Sequence, residues 1–334
     1  MLDQLTLVLL VVLGLAVIFD YINGFHDTAN AIATSVSTRA LKPEQAILMS
    51  ATANFVGALT GTAVAQTISS GLAVTPEGVT GQAIVAAALI GAIAWNLLTW
   101  RLGIPSSSSH ALIGGLLGAV IVSEGFDAII VEGVRDKVLV PLVLSPVLGI
   151  TLGFLFMVVL LNVFRHANPR RLNERFRRLQ VGSAAYMAFS HGSNDAQKTM
   201  GIMTLALFTA GVIPTTDVPL WVILVAATAI SLGTAAGGWR IIRTMGQKVV
   251  KLDPVHGFAA ETTAATIIFG ASNLGMPVST THVISSGIMG VGASDRLSAV
   301  RWGVAGNIVT AWVLTIPASG LMAALAFVVL DQFL

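Results

Sequence analysis

The chain has 334 residues, of which 55% are hydrophobic and only 10% charged, against about 25% charged in an ordinary soluble domain. Its formal net charge of +2 is carried by basic residues that flank apolar runs instead of clustering on a face, which excludes nucleic acid as a partner. The absence of cysteine excludes disulfides and thiolate metal sites.

The first apolar run, Leu5 to Phe19, lacks a basic segment before it and a small-residue cleavage site after it, so it reads as a membrane helix and not as a signal peptide. Further runs free of Asp, Glu, Lys and Arg follow: Gly78 to Trp100, Leu102 to Ser123, Val138 to Phe164, Leu220 to Trp239, Thr262 to Ser294 and Trp302 to Leu330. Each is long enough to cross about 30 Å of hydrocarbon as a helix, which predicts an all-α, polytopic membrane protein. The exception is residues 165–180, which hold Arg165, Arg170, Arg171, Arg175, Arg177 and Arg178. The positive-inside rule places this segment in the cytoplasm as the connector between a first transmembrane half, 1–164, and a second, 181–334.

The two halves repeat each other. The stretch from Asn23 to Asn30 matches that from His191 to Lys198, with Asp27 and Asp195 lying 168 residues apart. The stretch from Gly103 to His110 matches that from Gly275 to His282, with Pro105 and Pro277 lying 172 residues apart. Duplicated transporters often place such motifs on broken helices or re-entrant hairpins around a shared site, in repeats of inverted topology.

In both copies polar side chains stand at membrane depth beside Gly or Pro. A Pro just after a Gly opens a half-helix inside the protein, whose free N–H groups and positive dipole end suit an anion. Ser107, Ser108 and Ser109, with Ser279, Thr280 and Thr281, would converge on one tetrahedral, oxygen-rich ion. Ser106 is the weakest of the group because its mate is Val278. Asp27 and Asp195 are carboxylates within membrane segments, which need a cation, a proton or water beside them. Asn23, Asn30 and Asn194 add amide oxygens of the kind that hard cations such as Na⁺ prefer. Lys198 replaces Asn30 in the second half and is either an anion ligand or a stand-in for a cation. Glu261 is a candidate proton or sodium carrier, with Asn54 as its first-half counterpart by rough position, or else a helix-end residue in water. His26, His110, His191 and His282 lie in the motifs without zinc-ligand spacing, and His110 and His282 are expected to fix the starts of the hairpins by hydrogen bonding.

The segments Gly24 to Ala31 and Gly192 to Thr199, with the paired Pro-x-Ser-[Ser/Thr]-[Ser/Thr]-His motifs, resemble the inorganic phosphate transporter (PiT) family of cation–phosphate symporters. The resemblance covers both halves. It implies an inverted-repeat fold with phosphate on the half-helix tips, among the six Ser and Thr residues named above, and cations on Asp27, Asn30, Asn194 and Asp195. Glu261 also matches a family position. Gln197-Lys198 departs from the symmetric pattern and resembles the bacterial, proton-coupled branch. The expectation is therefore a non-enzymatic secondary transporter in the cell membrane that imports inorganic phosphate with H⁺, or alternatively Na⁺, and uses no cofactor or other metal. Its expected partners are phosphate and the lipid bilayer, with a homodimer left open. Sulfate or another tetrahedral oxyanion is the alternative cargo. A remote alternative is an intramembrane hydrolase pairing a Ser with His110 or His282 and with Asp27 or Asp195.

Overall fold

The computed structural model describes residues 4–333. In chain order the first half contains α1 (Gln4–Ser37), α2 (Pro43–Ala58), α3 (Ala63–Ser70), α4 (Val79–Leu102), α5 (Ser108–Glu124), the single turn α6 (Val131–Val134) and α7 (Val140–Val163). The second contains α8 (Pro169–Thr209), α9 (Leu220–Ala236), α10 (Trp239–Arg243), α11 (Pro254–Asn273), α12 (Thr280–Asp295) and α13 (Trp302–Asp331). Among the described residues no β-strand forms, and an isolated antiparallel bridge joins Ala73 to Ile129.

Several uncharged runs break where the sequence supplies a breaker. Leu102 to Ser123 becomes an extended stretch followed by α5, and Thr262 to Ser294 divides into α11 and α12 around Pro277. Conversely, α1 does not stop at Phe19 but carries Asp20, Asn23, Asp27 and Asn30 within one 34-residue helix. The basic segment is not a separate loop, since from Pro169 onward it forms the first turns of α8. At 41 residues that helix is about 60 Å long, twice the hydrocarbon thickness, so its arginine-rich end projects beyond the bilayer.

The duplication is visible element by element. α1 corresponds to α8, α4 to α11, α5 to α12 and α7 to α13, and each of the last two holds an internal proline, Pro146 or Pro317. α2 and α3 meet at a 70° bend, matched by a 60° bend between α9 and the segment Trp239–Lys248. When α1, the bent pair and α7 each cross once, and the α4–α5 hairpin returns the chain to the side it left, a half makes an odd number of crossings. That is the condition for an inverted repeat.

The halves interlock by exchanging partners: α5 packs on α13 and α12 on α7, while α1 packs on α9 and α8 on α2. Glycine makes these approaches close enough for backbone contact. A Cβ at Gly118 would strike the Gly320 carbonyl, and one at Gly290 the Ile150 carbonyl. Gly24 meets Ile230 as Gly192 meets Asn54. This symmetry makes Ile230 the counterpart of Asn54. The counterpart of Glu261, displaced by 172 residues, is Leu89, so the expected pairing of Asn54 with Glu261 is incorrect. The outer faces of α7 and α13 expose Val143, Val147, Val313 and Leu325 to lipid.

Candidate functional site

Each hairpin tip is built in the same way. α4 ends at Gly103 in the left-handed region (φ 68°), and α11 is followed by Gly275 with φ 65°. The Ile104 amide donates to the Thr99 carbonyl (3.0 Å), as Met276 does to Ala271 (2.9 Å). Around the prolines, Ser106 N donates to Ile104 O (2.9 Å) and Val278 N to Met276 O (2.8 Å). Ser107 then caps α5 by accepting from the His110 amide (3.1 Å), and Ser279 caps α12 by accepting from the His282 amide (3.2 Å). The histidines thus secure the helix starts by hydrogen bonding, as expected, and do so through their backbone N–H groups. The imidazoles meet edge to face, with centroids 4.7 Å apart, and His282 stacks on Trp312 at 4.0 Å.

Above each cap, the first two amides of the half-helix cannot be met within the helix. Among the described residues, those of Ser108, Ser109, Thr280 and Thr281 donate to no protein acceptor. The Ser108 hydroxyl is likewise buried and unpaired. The two tips touch through Ser109 Oγ, which donates to Val278 O at 3.3 Å. Two buried helix N-termini therefore face one another, the arrangement that binds an anion without many side-chain charges. Ser106 turns away from the tip toward Thr99 Oγ1 (2.8 Å) and His26 Nε2 (3.4 Å).

The helix 1 and helix 8 motifs close on these tips across the halves. Asn30 Nδ2 donates to Thr281 Oγ1 (2.9 Å) and Thr280 Oγ1 (3.2 Å) on the second tip. At the corresponding position Lys198 donates to Ser109 Oγ on the first tip, to Val278 O at 2.9 Å and to Asp195. Asp195 Oδ2 also accepts from Thr280 Oγ1 (2.9 Å) and lies 2.9 Å from His191 Nε2. Asp27 Oδ1 is 2.6 Å from His26 Nδ1, and its Oδ2 is 4.0 Å from His191 Nε2.

The orientation of His191 follows from its neighbours. Asn54 Nδ2 donates to Thr234 Oγ1 at 2.8 Å, which turns the Asn54 carbonyl oxygen toward His191 Nδ1 at 3.0 Å. Nδ1 is thereby placed to donate to the Asn54 carbonyl oxygen, and Nε2 points at the two carboxylates. Asp27, His191 and Asp195 can offer ligand atoms within 4.8 Å of one another.

Asn194 and Asn23 adjoin this centre with carbonyl oxygens that have no partner, although Asn194 Nδ2 is held by Ser272 Oγ (2.9 Å) and Met276 O (3.1 Å). Glu261 is fully buried, which removes the helix-end alternative. It forms a separate polar centre, accepting from the hydroxyls of Thr34 and Ser183 and from Gln180 Nε2 at 3.1 Å. Gln197 braces α3 by accepting from Val64 N at 2.8 Å. Asp20, Thr34, Gln180 and Ser183 were not singled out by the motifs. Helical spacing from Asp27 identifies Asp20, whereas the other three come together only through packing.

The phosphate transporter family model matches residues 23–323. The chain is 49% identical over 331 residues to a probable low-affinity inorganic phosphate transporter of Bacillus subtilis (strain 168), covering 99% of each chain. It is 49% identical over 321 residues to a protein of the same description from Rhizobium meliloti (strain 1021), covering 96% of this chain and 95% of that one. Among solved structures, a sodium-dependent phosphate transporter superposes with a TM-score of 0.90 at 28% identity, covering 98% of this chain and 100% of its own. These relatives are transporters, and in this chain the rings of neither His110 nor His282 bond to Asp27 or Asp195 as the hydrolase alternative requires. A duplicated, multi-pass helical fold and a family match across both halves lead to one assignment: the chain belongs to the phosphate transporter family.

Proposed function

We propose that this protein imports inorganic phosphate across the cell membrane with a coupling cation, in the orientation that leaves the basic end of α8 in the cytoplasm. The observation that carries the reading is the pair of facing half-helix tips with free amides at Ser108, Ser109, Thr280 and Thr281, set beside buried Asp27 and Asp195. Phosphate takes the amides and the Ser108 hydroxyl, while Ser107 and Ser279 shape the tips as caps. Ser109, Thr280 and Thr281 link the anion to the cation centre, because their hydroxyls already contact Lys198, Asp195 and Asn30. The repeats 1–164 and 181–334 each contribute one tip and one Asp-bearing helix to this site.

Cation coupling has an electrostatic basis. Asp20, Asp27, Asp195 and Glu261 are buried acids, and Lys198 is the buried ammonium among the described residues. An anion entering such a site needs positive charge brought with it. Asp27, Asn30, Asn194 and Asp195 provide the central cation position, with Asn23 one turn before Asp27 on α1, while Glu261 is a cation-carrying acid in its own separate centre. The proton is the favoured ion, because Lys198 supplies fixed positive charge where the first half has Asn30, and a site so equipped needs fewer ions.

The test is uptake of labelled phosphate into proteoliposomes with excess sulfate as competitor. Phosphate uptake unaffected by sulfate supports the assignment. Sulfate uptake at an equal rate would make the protein a general oxyanion carrier.

A further inference from the structure

Asp20 lies outside the anion and cation centres described above, yet it is completely buried. It precedes Asn23 by three residues and Asp27 by seven, so all three share one face of α1. Thr199 of α8, next to Lys198, and Asn23 approach its carboxylate. Neither closes a hydrogen bond onto it: both Asp20 oxygens, Asn23 Oδ1 and Thr199 Oγ1 are buried without a partner. These are four unsatisfied oxygens in one place, two of them on one carboxyl group. Other unpaired buried groups, such as Ser145, Ser190 and Thr204, are single neutral hydroxyls. The positions equivalent to Asp20 and Thr199 in the opposite repeats are Ala188 and Ala31, so this cluster exists once and is not a by-product of the duplication.

A buried carboxylate without partners is costly, and a set of carboxylate, amide and hydroxyl oxygens is what hard cations select. We propose that Asp20, Asn23 and Thr199 form a binding site for a small monovalent cation, distinct from the Asp27–Asp195 centre. It is an accessory site: the ion offsets the Asp20 charge beside the substrate path. The inference rests on the reading of the chain as a cation-coupled carrier. Because its test reads cation binding without phosphate, its failure leaves that reading intact.

The experiment is thermal melting of the purified full-length protein at fixed pH and ionic strength, with sodium, potassium or choline chloride and no phosphate. The expected result is a saturable rise in melting temperature with sodium that choline does not give. Asp20→Asn should abolish the rise. Thr199→Val should weaken the apparent sodium affinity by roughly tenfold or more, and it decides the matter if Asp20→Asn does not fold. Absence of a sodium response in the unmodified protein would overturn the proposal. So would a response retained in Asp20→Asn, or in Thr199→Val where Asp20→Asn cannot be purified, or one lost only in Asp27→Asn.

Discussion

At the residue scale, the most informative difference between the halves is Asn30 against Lys198. Both reach across to the hairpin of the other half, Asn30 to Thr281 and Lys198 to Ser109, which occupy equivalent tip positions. Their chemistry differs by one permanent positive charge. Lys198→Asn is therefore expected to introduce sodium dependence into phosphate uptake, measured in proteoliposomes with sodium exchanged for choline. If uptake remains sodium-independent, the ammonium is not replacing a cation. Asp27→Asn and Asp195→Asn should each reduce driven uptake to the level of empty vesicles while the proteins still insert, since each removes a charge that pairs within the cation centre. At the tips, Ser108→Ala should weaken phosphate binding by roughly tenfold or more, because hydrogen bonds to a charged group contribute about 1.5–3 kcal/mol. Ser106→Ala should do much less to binding, since that hydroxyl faces Thr99 and His26. Equal small losses at both positions, measured by titration calorimetry, would assign the binding to backbone amides alone.

At the scale of elements, the sequence was most legible where both copies keep a motif. The Gly-x-Pro pairs announce the two hairpins, and the tips form at those residues with matching left-handed glycines. The motifs around Asp27 and Asp195 were recognisable for the same reason. Glu261 was found without its setting, because Thr34, Gln180 and Ser183 come from two other helices and carry no local pattern. Asp20 carries no local signal because it directly follows the apolar run that ends at Phe19, although the helix continues through it. The exchange of helices between halves was not legible either, since glycines alone do not say which backbone will approach them. The packing makes a stability prediction. Gly118→Ala forces a methyl into the Gly320 carbonyl, whereas Gly14→Ala enters open space. Overpacking of this kind costs about 1–3 kcal/mol. Melting of the purified variants should show a clear loss for the first and none for the second, and equal melting temperatures would contradict the close approach of α5 and α13.

For the whole molecule, the inverted repeat predicts sidedness. The turn after α1 and the turn after α8 occupy equivalent places in the two halves, so they should open on opposite sides of the membrane. The chain lacks native cysteine, so Lys42→Cys and Val212→Cys can be labelled singly. Val212 is exposed, and its cysteine should react with an impermeant reagent in intact cells, whereas that at position 42 should react only after permeabilisation. Labelling of both from the same side would contradict the inversion.

In the proposed transport cycle an anion held by two helix tips crosses the membrane together with a proton. The most direct test is phosphate uptake into proteoliposomes with proton and sodium gradients imposed independently. An inward proton gradient should drive accumulation with choline in place of sodium. Accumulation that requires a sodium gradient and ignores the proton gradient would contradict the account.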